Sequence, residues 1–334
     1  MANMLEARLT EEFLRPAELP GIIHSKFHSV MNVQFKMPSG EKRLVTVVTA
    51  GTAGIPDSIT VDREYFSRLL PLPVGSELWC KNMTIRFEGV AEPLVGDEQC
   101  LRGSNLLIRS PSGIGRRAPG DIDIYGMAFV KGFTHFKEEL DRLAVDGCRN
   151  DGLSALGLRR KREIVSGLQA FAWSWLEHDT AKMEIGLLKY VGLGIGLTPS
   201  CDDAFLGIIA MYSGARLYAQ TAFERMGETF LKWRSLPDIG SLSPFKERLF
   251  NRTTDVSLKY LCCAQEKRFS DPVIDLVDAI FFDTNVPMGA CVKQASMVGE
   301  SSGMDMLLGA EIACQVLWES VRPDSENQAK QGGK

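Results

Sequence analysis

The segment GLGIGLTPSCDD (residues 192–203) joins three alternate glycines to a helix start, and the apolar run AFLGIIAM (residues 204–211) continues that helix. Glycine allows the backbone to approach a ligand closely. A helix start adds unpaired amide groups and the positive end of the helix dipole. The segment therefore predicts a junction that can hold a phosphate or a carboxylate.

Two carboxylates, Asp202 and Asp203, lie inside the first turn of this predicted helix. A turn that only bound an anion would not call for two negative charges. The pair indicates a metal ion, a substrate that carries amide groups, or simple capping of the helix. Because a capping box uses Asp203 but not Asp202, Asp202 is the stronger functional candidate.

A second copy of the pattern occurs near the other end of the chain. SGMDMLLG (residues 302–309) and SCDDAFLG (residues 200–207) both read Ser-x-x-Asp-x-x-Leu-Gly. A serine followed three residues later by an acid is typical of a capping box, and two ordinary helix starts would explain each copy alone. The pair together favours one site built from two converging helix starts.

The predicted site has three candidate catalytic groups, the carboxylates of Asp202, Asp203 and Asp305. Hydroxyl and backbone groups of the two turns are the predicted contacts for a small anion. These groups belong to Gly194, Gly196, Thr198, Ser200, Cys201, Ser302 and Gly303.

Eight cysteines occur in the chain, and none forms a Cys-x-x-Cys pair, so neither a zinc ribbon nor a redox dithiol is indicated. Only Cys201 has a notable position. In a first helical turn its thiol could have a depressed pKa and act as a nucleophile. No histidine lies near it in the sequence, and a small filler is the favoured interpretation.

The fold is predicted as α+β, with an N-terminal antiparallel β-rich domain, a barrel or a sandwich, followed by a mostly α-helical domain. Apolar and polar residues alternate at 33–37 and 83–88, and residues 43–49 are rich in β-branched side chains. A short helix is expected at residues 63–70. Further helices are predicted at residues 136–145, 162–178, 204–231, 244–250, 254–264, 272–281 and 305–318.

A segment rich in Pro, Gly and Ser, at residues 110–121, is expected to be a domain boundary or a mobile loop. The predicted domains are residues 1–115, which are β-rich, and residues 116–323, which are helical and carry the glycine-rich motif. Residues 324–334 are polar and are expected to form a disordered tail.

Composition excludes several classes of protein. The net charge is −4, which argues against a nucleic-acid-binding or lipid-binding surface. The longest apolar runs are too short to span a membrane, and residues 1–19 lack the apolar region of a signal peptide. We therefore expect a soluble cytoplasmic protein with no nucleic-acid or membrane partner.

Three segments carry a resemblance to a known family: GLTPSCDD (residues 196–203), RTTDVS (residues 252–257) and GESSGMD (residues 299–305). They are similar to a bacterial family linked to the AllH-type subunit of oxamate carbamoyltransferase, in anaerobic allantoin breakdown. The similarity covers most of the helical half. The family usually has glycine where this chain has Cys201.

The resemblance implies phosphorolysis of oxalurate to oxamate and carbamoyl phosphate, or the reverse transfer. Asp202 and Asp203 would accept hydrogen bonds from ureido groups, or would hold a divalent cation such as Mg²⁺ or Mn²⁺ that bridges phosphate oxygens. Thr253, Thr254 and Ser257 open another helix start, with capping as the alternative. Thr253 and Thr254 join the predicted binding residues. The resemblance also implies partner subunits.

Two other functions fit the same residues. The chain could be a non-catalytic subunit that binds a metabolite or serves as a scaffold within a multi-subunit complex. It could also be a metal-dependent hydrolase that uses Asp202, Asp203 and Asp305.

Overall fold

The computed structural model describes residues 2–4, 6–8, 18–96, 124–147, 155–221, 231–282, 286–299 and 301–321. The chain divides into two units. One is Met1–Ile108 with Arg268–Asp271, and the other is Arg109–Lys267 with Pro272–Lys334. The predicted boundary at residues 110–121 and the predicted tail lie outside the described residues.

The first unit contains one curled, open sheet of nine strands in the order β1-β9-β8-β7-β3-β4-β5-β6-β2. Most neighbouring pairs are antiparallel, whereas the pairs β1–β9 and β5–β6 are parallel. The predicted antiparallel β-rich domain is thereby confirmed. The strands are β1 (Ala2–Asn3), β2 (Glu6–Arg8), β3 (Leu19–Lys26), β4 (Val30–Lys36), β5 (Lys42–Thr49), β6 (Ser58–Val61), β7 (Glu77–Lys81), β8 (Thr84–Phe87) and β9 (Leu94–Val95).

Alternation along β4 and β5 builds the core of this sheet. Met31 is paired with Val47 and Val33 with Val45, so their side chains project to the same face. All four are fully buried. Each buried aliphatic side chain of this size contributes about 2 kcal/mol from the apolar area that it removes from water.

The helix predicted at residues 63–70 is present as α1 (Arg63–Leu69). The carboxylate of Asp62 caps it by accepting a hydrogen bond from the Tyr65 amide at 2.7 Å. Tyr65, Phe66 and Leu69 are buried in the core of the sheet unit. The spacing of these apolar residues explains why this segment is helical between strands.

The second unit is helical among its described residues, as predicted. Each helix that the sequence predicted has a counterpart, although the bounds differ by several residues and residues 222–230 lie outside the description. The helices are α2 (Ile124–Gly147), α3 (Ala155–Leu176), α4 (Thr180–Tyr190), α5 (Ser200–Thr221), α6 (Leu231–Arg234), α7 (Phe245–Leu249), α8 (Asp255–Gln265), α9 (Asp271–Phe281), α10 (Met288–Ser296) and α11 (Ser302–Val321).

Helix α6 begins at residue 231, where a predicted helix ends, so it was not predicted, and neither were α4 and α10. Helix α4 starts at Asp179, whose carboxylate accepts a hydrogen bond from the Lys182 amide at 3.0 Å. Its buried side chains, Met183, Leu187 and Tyr190, follow the i, i+4, i+7 spacing of an amphipathic helix, a pattern that the prediction did not use. Helix α10 is short and has no side-chain cap. Both are stabilised mainly by packing.

Aromatic side chains of α3 and α5 form the centre of the helical unit. Trp175 stacks on Tyr212 with ring centroids 4.9 Å apart, and Phe171 meets Phe205 edge to face at the same distance. Phe171 and Trp175 of α3 therefore belong to the core of this unit. No helix in the described part of the chain is both long enough and apolar enough to cross a membrane.

Candidate functional site

The two Ser-x-x-Asp turns lie side by side in the helical unit. The hydroxyl oxygen of Thr198, just before α5, is 2.6 Å from the hydroxyl oxygen of Ser302, the first residue of α11. The two residues are 104 positions apart in the chain. The predicted convergence of two helix starts is thus present in the structure.

Equivalent glycines allow α5 and α11 to approach each other. A Cβ atom on Gly207 would lie 2.1 Å from the Met306 carbonyl oxygen, and one on Gly309 would lie 1.9 Å from the Ala204 carbonyl oxygen. Each glycine is the seventh residue after its serine, and each carbonyl is the fourth. The two copies therefore exchange equivalent contacts, and the repeated Leu-Gly serves packing.

Asp202 is fully buried and is held by hydrogen bonds. Its Oδ1 accepts from the Gly192 amide at 2.7 Å. Its Oδ2 accepts from the hydroxyl of Ser257 at 2.6 Å and from the hydroxyl of Thr253. These bonds fix the glycine turn to the start of α8, so geometry gives Asp202 a structural role. Its predicted catalytic role gains no support from these contacts.

Thr254 joins the same two segments. Its hydroxyl donates to the Leu197 carbonyl and accepts from the Ser257 amide at 3.1 Å, which makes it the N-cap of α8. Thr254 therefore caps α8, as the capping alternative predicted. Thr253 donates a hydrogen bond that helps to hold Asp202 in place. Ser257, which the sequence places at the same helix start, donates to Asp202, although it was not among the predicted binding residues.

Asp203 has a different environment, next to the hydroxyl groups of Thr198 and Ser302. Its side chain is almost completely buried, and its Oδ2 has no hydrogen-bond partner. Burial raises the pKa of Asp203 to about 7, and the charges of Asp305 and Asp202 add to the rise. Hydrogen bonding to the Ser302 and Thr198 hydroxyl pair opposes it. Near neutral pH the carboxyl group can therefore donate or accept a proton.

Asp305, in the first turn of α11, is half-buried, and its Oδ2 also has no hydrogen-bond partner. Among the described residues, no lysine or arginine forms an ion pair with Asp203 or Asp305. We call Thr198, Asp203, Ser302 and Asp305 the acidic cluster. A buried acceptor without a donor is costly, so the cluster is suited to a ligand that donates hydrogen bonds.

Backbone amides of the two turns are partly used inside the chain. The Cys201 amide donates to the Leu193 carbonyl at 3.0 Å, and the Gly303 amide donates to the Val298 carbonyl at 2.9 Å. Ser200 and Ser302 are the first residues of their helices, so their amides have no partner within the helix. Those two amides are the better candidates for contact with an anion.

The glycines before α5 serve the conformation of the turn. Gly194 and Gly196 have φ values of +136° and +107°, which residues with a Cβ rarely adopt. A Cβ on Gly194 would also lie 2.3 Å from the Ser200 amide nitrogen. Gly196 is exposed and has open space where its Cβ would be, so the backbone there is accessible.

Cys201 is buried, and burial raises the pKa of its thiol to about 11, helped by the charges of Asp202 and Asp305. A buried thiol with a raised pKa is a poor nucleophile, and this side chain fills space in the interior. Within the described ranges, no group of three or more His, Cys, Asp or Glu side chains is arranged to hold a metal ion.

A cavity of about 340 Å³ lies elsewhere in the helical unit. It is bordered by apolar side chains such as Phe171, Leu187 and Phe245, and by the ion pair of Glu184 and Arg248. None of the predicted site residues lines it. The acidic cluster is therefore separate from this cavity.

The fold and the site define a protein with a β-sheet unit and a helical unit whose paired helix starts enclose carboxylates. Residues 2–97 match the AllH family N-terminal domain. Residues 190–314, which include both Ser-x-x-Asp turns, match the oxamate carbamoyltransferase subunit AllH. Together the two ranges make up more than half of the chain, which belongs to the AllH family. No curated protein and no solved structure matches the chain.

Proposed function

We propose that this chain binds and positions the carbamoyl-bearing substrate of a carbamoyltransferase. The reaction converts oxalurate and phosphate to oxamate and carbamoyl phosphate, or runs in reverse. The single observation that carries the proposal is the pair of buried, unpartnered carboxylate oxygens on Asp203 and Asp305. The proposed setting is cytoplasmic, in anaerobic allantoin degradation.

The chemistry of the substrate suits these oxygens. A ureido or carboxamide nitrogen carries N–H groups that only donate hydrogen bonds, and an ionised carboxylate only accepts them. Asp203 and Asp305 would therefore orient the nitrogen end of the substrate. This changes the pair inferred from the sequence, because the contacts of Asp202 are made inside the chain.

Asp203 is the proposed acid and base of the reaction. In the forward direction a phosphate oxygen attacks the carbamoyl carbon, and the bond from that carbon to the oxamate nitrogen breaks. The leaving nitrogen then takes a proton from the carboxyl group of Asp203. In reverse, the Asp203 carboxylate removes that proton as the nitrogen attacks carbamoyl phosphate. A pKa of about 7 suits both roles near neutral pH.

The anionic ends of the substrates would lie at the helix starts. The first amides of α5 and α11, at Ser200 and Ser302, and the hydroxyl of Thr198 are the proposed donors. Donors fixed by the fold can stabilise the charge that develops on the carbamoyl oxygen without reorganising. No covalent intermediate on the protein is needed, because positioning and proton transfer are sufficient.

A second candidate function is a subunit that binds the metabolite while a partner performs the chemistry. The observation that favours it is the enclosure of the cluster, because both unpartnered oxygens are buried within this chain. In that case oxamate would raise the melting temperature of the complex, and Asp203→Asn would change affinity but leave the maximal rate intact.

The test is an assay of the chain purified with its companion subunits, supplied with oxalurate and phosphate and followed by carbamoyl phosphate formation. We expect Asp203→Asn to lower kcat by about 100-fold or more, which is the scale of lost acid–base catalysis. Asp305→Asn removes an acceptor that orients the substrate and should also lower kcat. Asp141→Asn, at an exposed position on α2, is the matched control and should keep full activity. Wild-type rates in both site variants would refute the proposal.

A further inference from the structure

Five large apolar side chains are exposed around the starts of α5 and α11. Ile195 is 95% exposed and Met297 is 71% exposed, so most of each side chain lies at the surface. Among the described residues, eleven large apolar side chains are at least 36% exposed, and five of them belong to this one region. We call these five the apolar rim: Leu193, Ile195, Met297, Met304 and Leu308.

Hydrogen bonds place the rim next to the acidic cluster. The carbonyl of Leu193 accepts from the Cys201 amide at 3.0 Å, so the glycine turn lies against the start of α5. The carbonyl of Val298 accepts from the Gly303 amide at 2.9 Å, so the turn with Met297 lies against the start of α11. Met304 and Leu308 are four residues apart on α11 and thus share a face.

The charge of the acidic cluster indicates which kind of partner surface fits the apolar rim. The acidic cluster contains Asp203 and Asp305, and neither is ion-paired with a lysine or arginine among the residues that the structure describes. A phosphate or carboxylate that enters beside these groups is repelled unless a cation is added. A complementary surface therefore presents apolar side chains and one positive charge.

We propose that the apolar rim docks a companion subunit of the enzyme, which brings an arginine or lysine to the acidic cluster and so completes the site. The inference rests on the proposed function, because it assigns the cation to the same substrate site. Arginine is particularly suited, since its planar fork matches the oxygens of a substrate carboxylate or phosphate that lies beside the acidic cluster.

A second copy of this chain is a poorer occupant of the rim. In a symmetric dimer across this face, each copy would present its own Asp203 and Asp305 to the same patch on the other. Like charges brought together at an interface oppose association. A different subunit with a cation has no such penalty, and the family name itself describes a subunit.

The apolar part of the proposal is tested by the double variant Ile195→Asp with Met297→Asp. Association with the purified companion subunits is measured by size-exclusion chromatography with light scattering. We expect binding at least tenfold weaker than for the wild type, with an unchanged melting temperature of the isolated chain. Ile185→Asp, on α4 and 66% exposed, is the matched control and should bind normally. Wild-type association of the double variant would overturn the proposal, and so would a self-dimer that the double variant abolishes.

The charge part is tested by Asp305→Asn. If a cation of the companion subunit faces Asp305, the variant should associate more weakly, and its affinity should depend less on salt concentration than that of the wild type. An unchanged affinity and salt dependence would contradict the cation.

Association and turnover together separate this inference from the proposed function. Rim variants that fail to assemble, with an Asp203→Asn complex that assembles and turns over normally, would leave the docking surface intact and refute the catalytic role. Rim variants that assemble and react normally, with an inactive Asp203→Asn complex, would refute the docking surface alone.

Discussion

The two flanks of the first turn of α5 differ although they begin at neighbouring residues. On one flank, Asp202 is tied to the Gly192 amide and to hydroxyls at the start of α8. On the other, Asp203 faces the start of α11 and keeps a buried oxygen without a donor. Successive helical residues point about 100° apart, so two adjacent carboxylates reach different partners.

The difference shows how one motif can supply both a scaffold and a reactive group. A carboxylate that accepts several hydrogen bonds from fixed donors holds segments together. A buried carboxylate with one oxygen that lacks a donor destabilises the folded chain and is retained where a ligand benefits from it. We therefore assign a structural role to Asp202 and a functional role to Asp203.

On the second flank, substitutions should have their largest effect where α5 and α11 are in contact. Gly309→Ala would place a methyl group 1.9 Å from the Ala204 carbonyl oxygen, so the helices must move apart. We expect a loss of about 3 kcal/mol in the free energy of unfolding, as for other overpacked interiors. Urea unfolding gives the value.

Gly186→Ala is the matched control for this change. Gly186 is also helical, but its Cβ would meet Phe171 at an ordinary 3.4 Å. Helix propensity should make that variant more stable by up to about 1 kcal/mol. Equal stability of the two alanine variants would show that the close approach of the helices is not a constraint.

Asp202→Asn disrupts the hydrogen bonds that hold the first flank together. The amide replaces one acceptor oxygen with a donor that faces other donors, so buried groups are left unpaired. We expect a loss of about 2.5 kcal/mol in the free energy of unfolding, against less than about 0.5 kcal/mol for Asp141→Asn at the surface. A variant that unfolds like the wild type but is inactive would instead give Asp202 a chemical role.

The same substitution at Asp203 should act in the opposite direction. The pKa of Asp203 is raised from its ordinary 3.8 to about 7, so the folded chain binds an extra proton between these values. Wild-type stability therefore falls as pH rises from about 4 to about 7, and Asp203→Asn removes this loss.

The size of the effect at Asp203 is limited by relaxation around the charged carboxylate. We expect the variant to gain about 2 kcal/mol relative to the wild type as the pH rises from about 4 to about 7. Urea unfolding at several pH values measures the difference. Parallel pH profiles for the two proteins would mean that Asp203 titrates normally.

The smallest effect is expected at Cys201, which precedes the two carboxylates. With its pKa raised to about 11, its thiolate is about 100-fold rarer than that of a free thiol, so iodoacetamide at pH 8 should modify it very slowly. Peptide mapping by mass spectrometry gives the rate. Rapid modification would indicate that the Cys201 thiol is nucleophilic, and it would weaken the proposal that Asp203 is the reactive group.

Much of the architecture could be predicted from local patterns. The alternation at residues 33–37 predicts β4, and the repeated Ser-x-x-Asp predicts that α5 and α11 start at a common place. Both patterns are local, because periodicity and capping depend on neighbouring residues. Helix α10 has no side-chain cap and depends on packing, whereas α4 does carry a local pattern in the spacing of Met183, Leu187 and Tyr190.

The distinct roles of Asp202 and Asp203 could not be predicted in the same way. The partners of Asp202 at the start of α8 lie 51 and 55 residues further along the chain. Those of Asp203 come from the start of α11. Only the fold decides which carboxylate meets donors, and sequence position alone pointed to Asp202. Exposure of Ile195 is likewise a property of the folded chain.

The most direct test of the central claim is a crystal structure of the chain with its companion subunits and bound oxamate. We predict that the amide nitrogen of oxamate lies about 3 Å from the Oδ2 atom of Asp203 or Asp305, at hydrogen-bond distance. Oxamate bound in the cavity beside Phe171 and Arg248, with the acidic cluster unchanged, would contradict it.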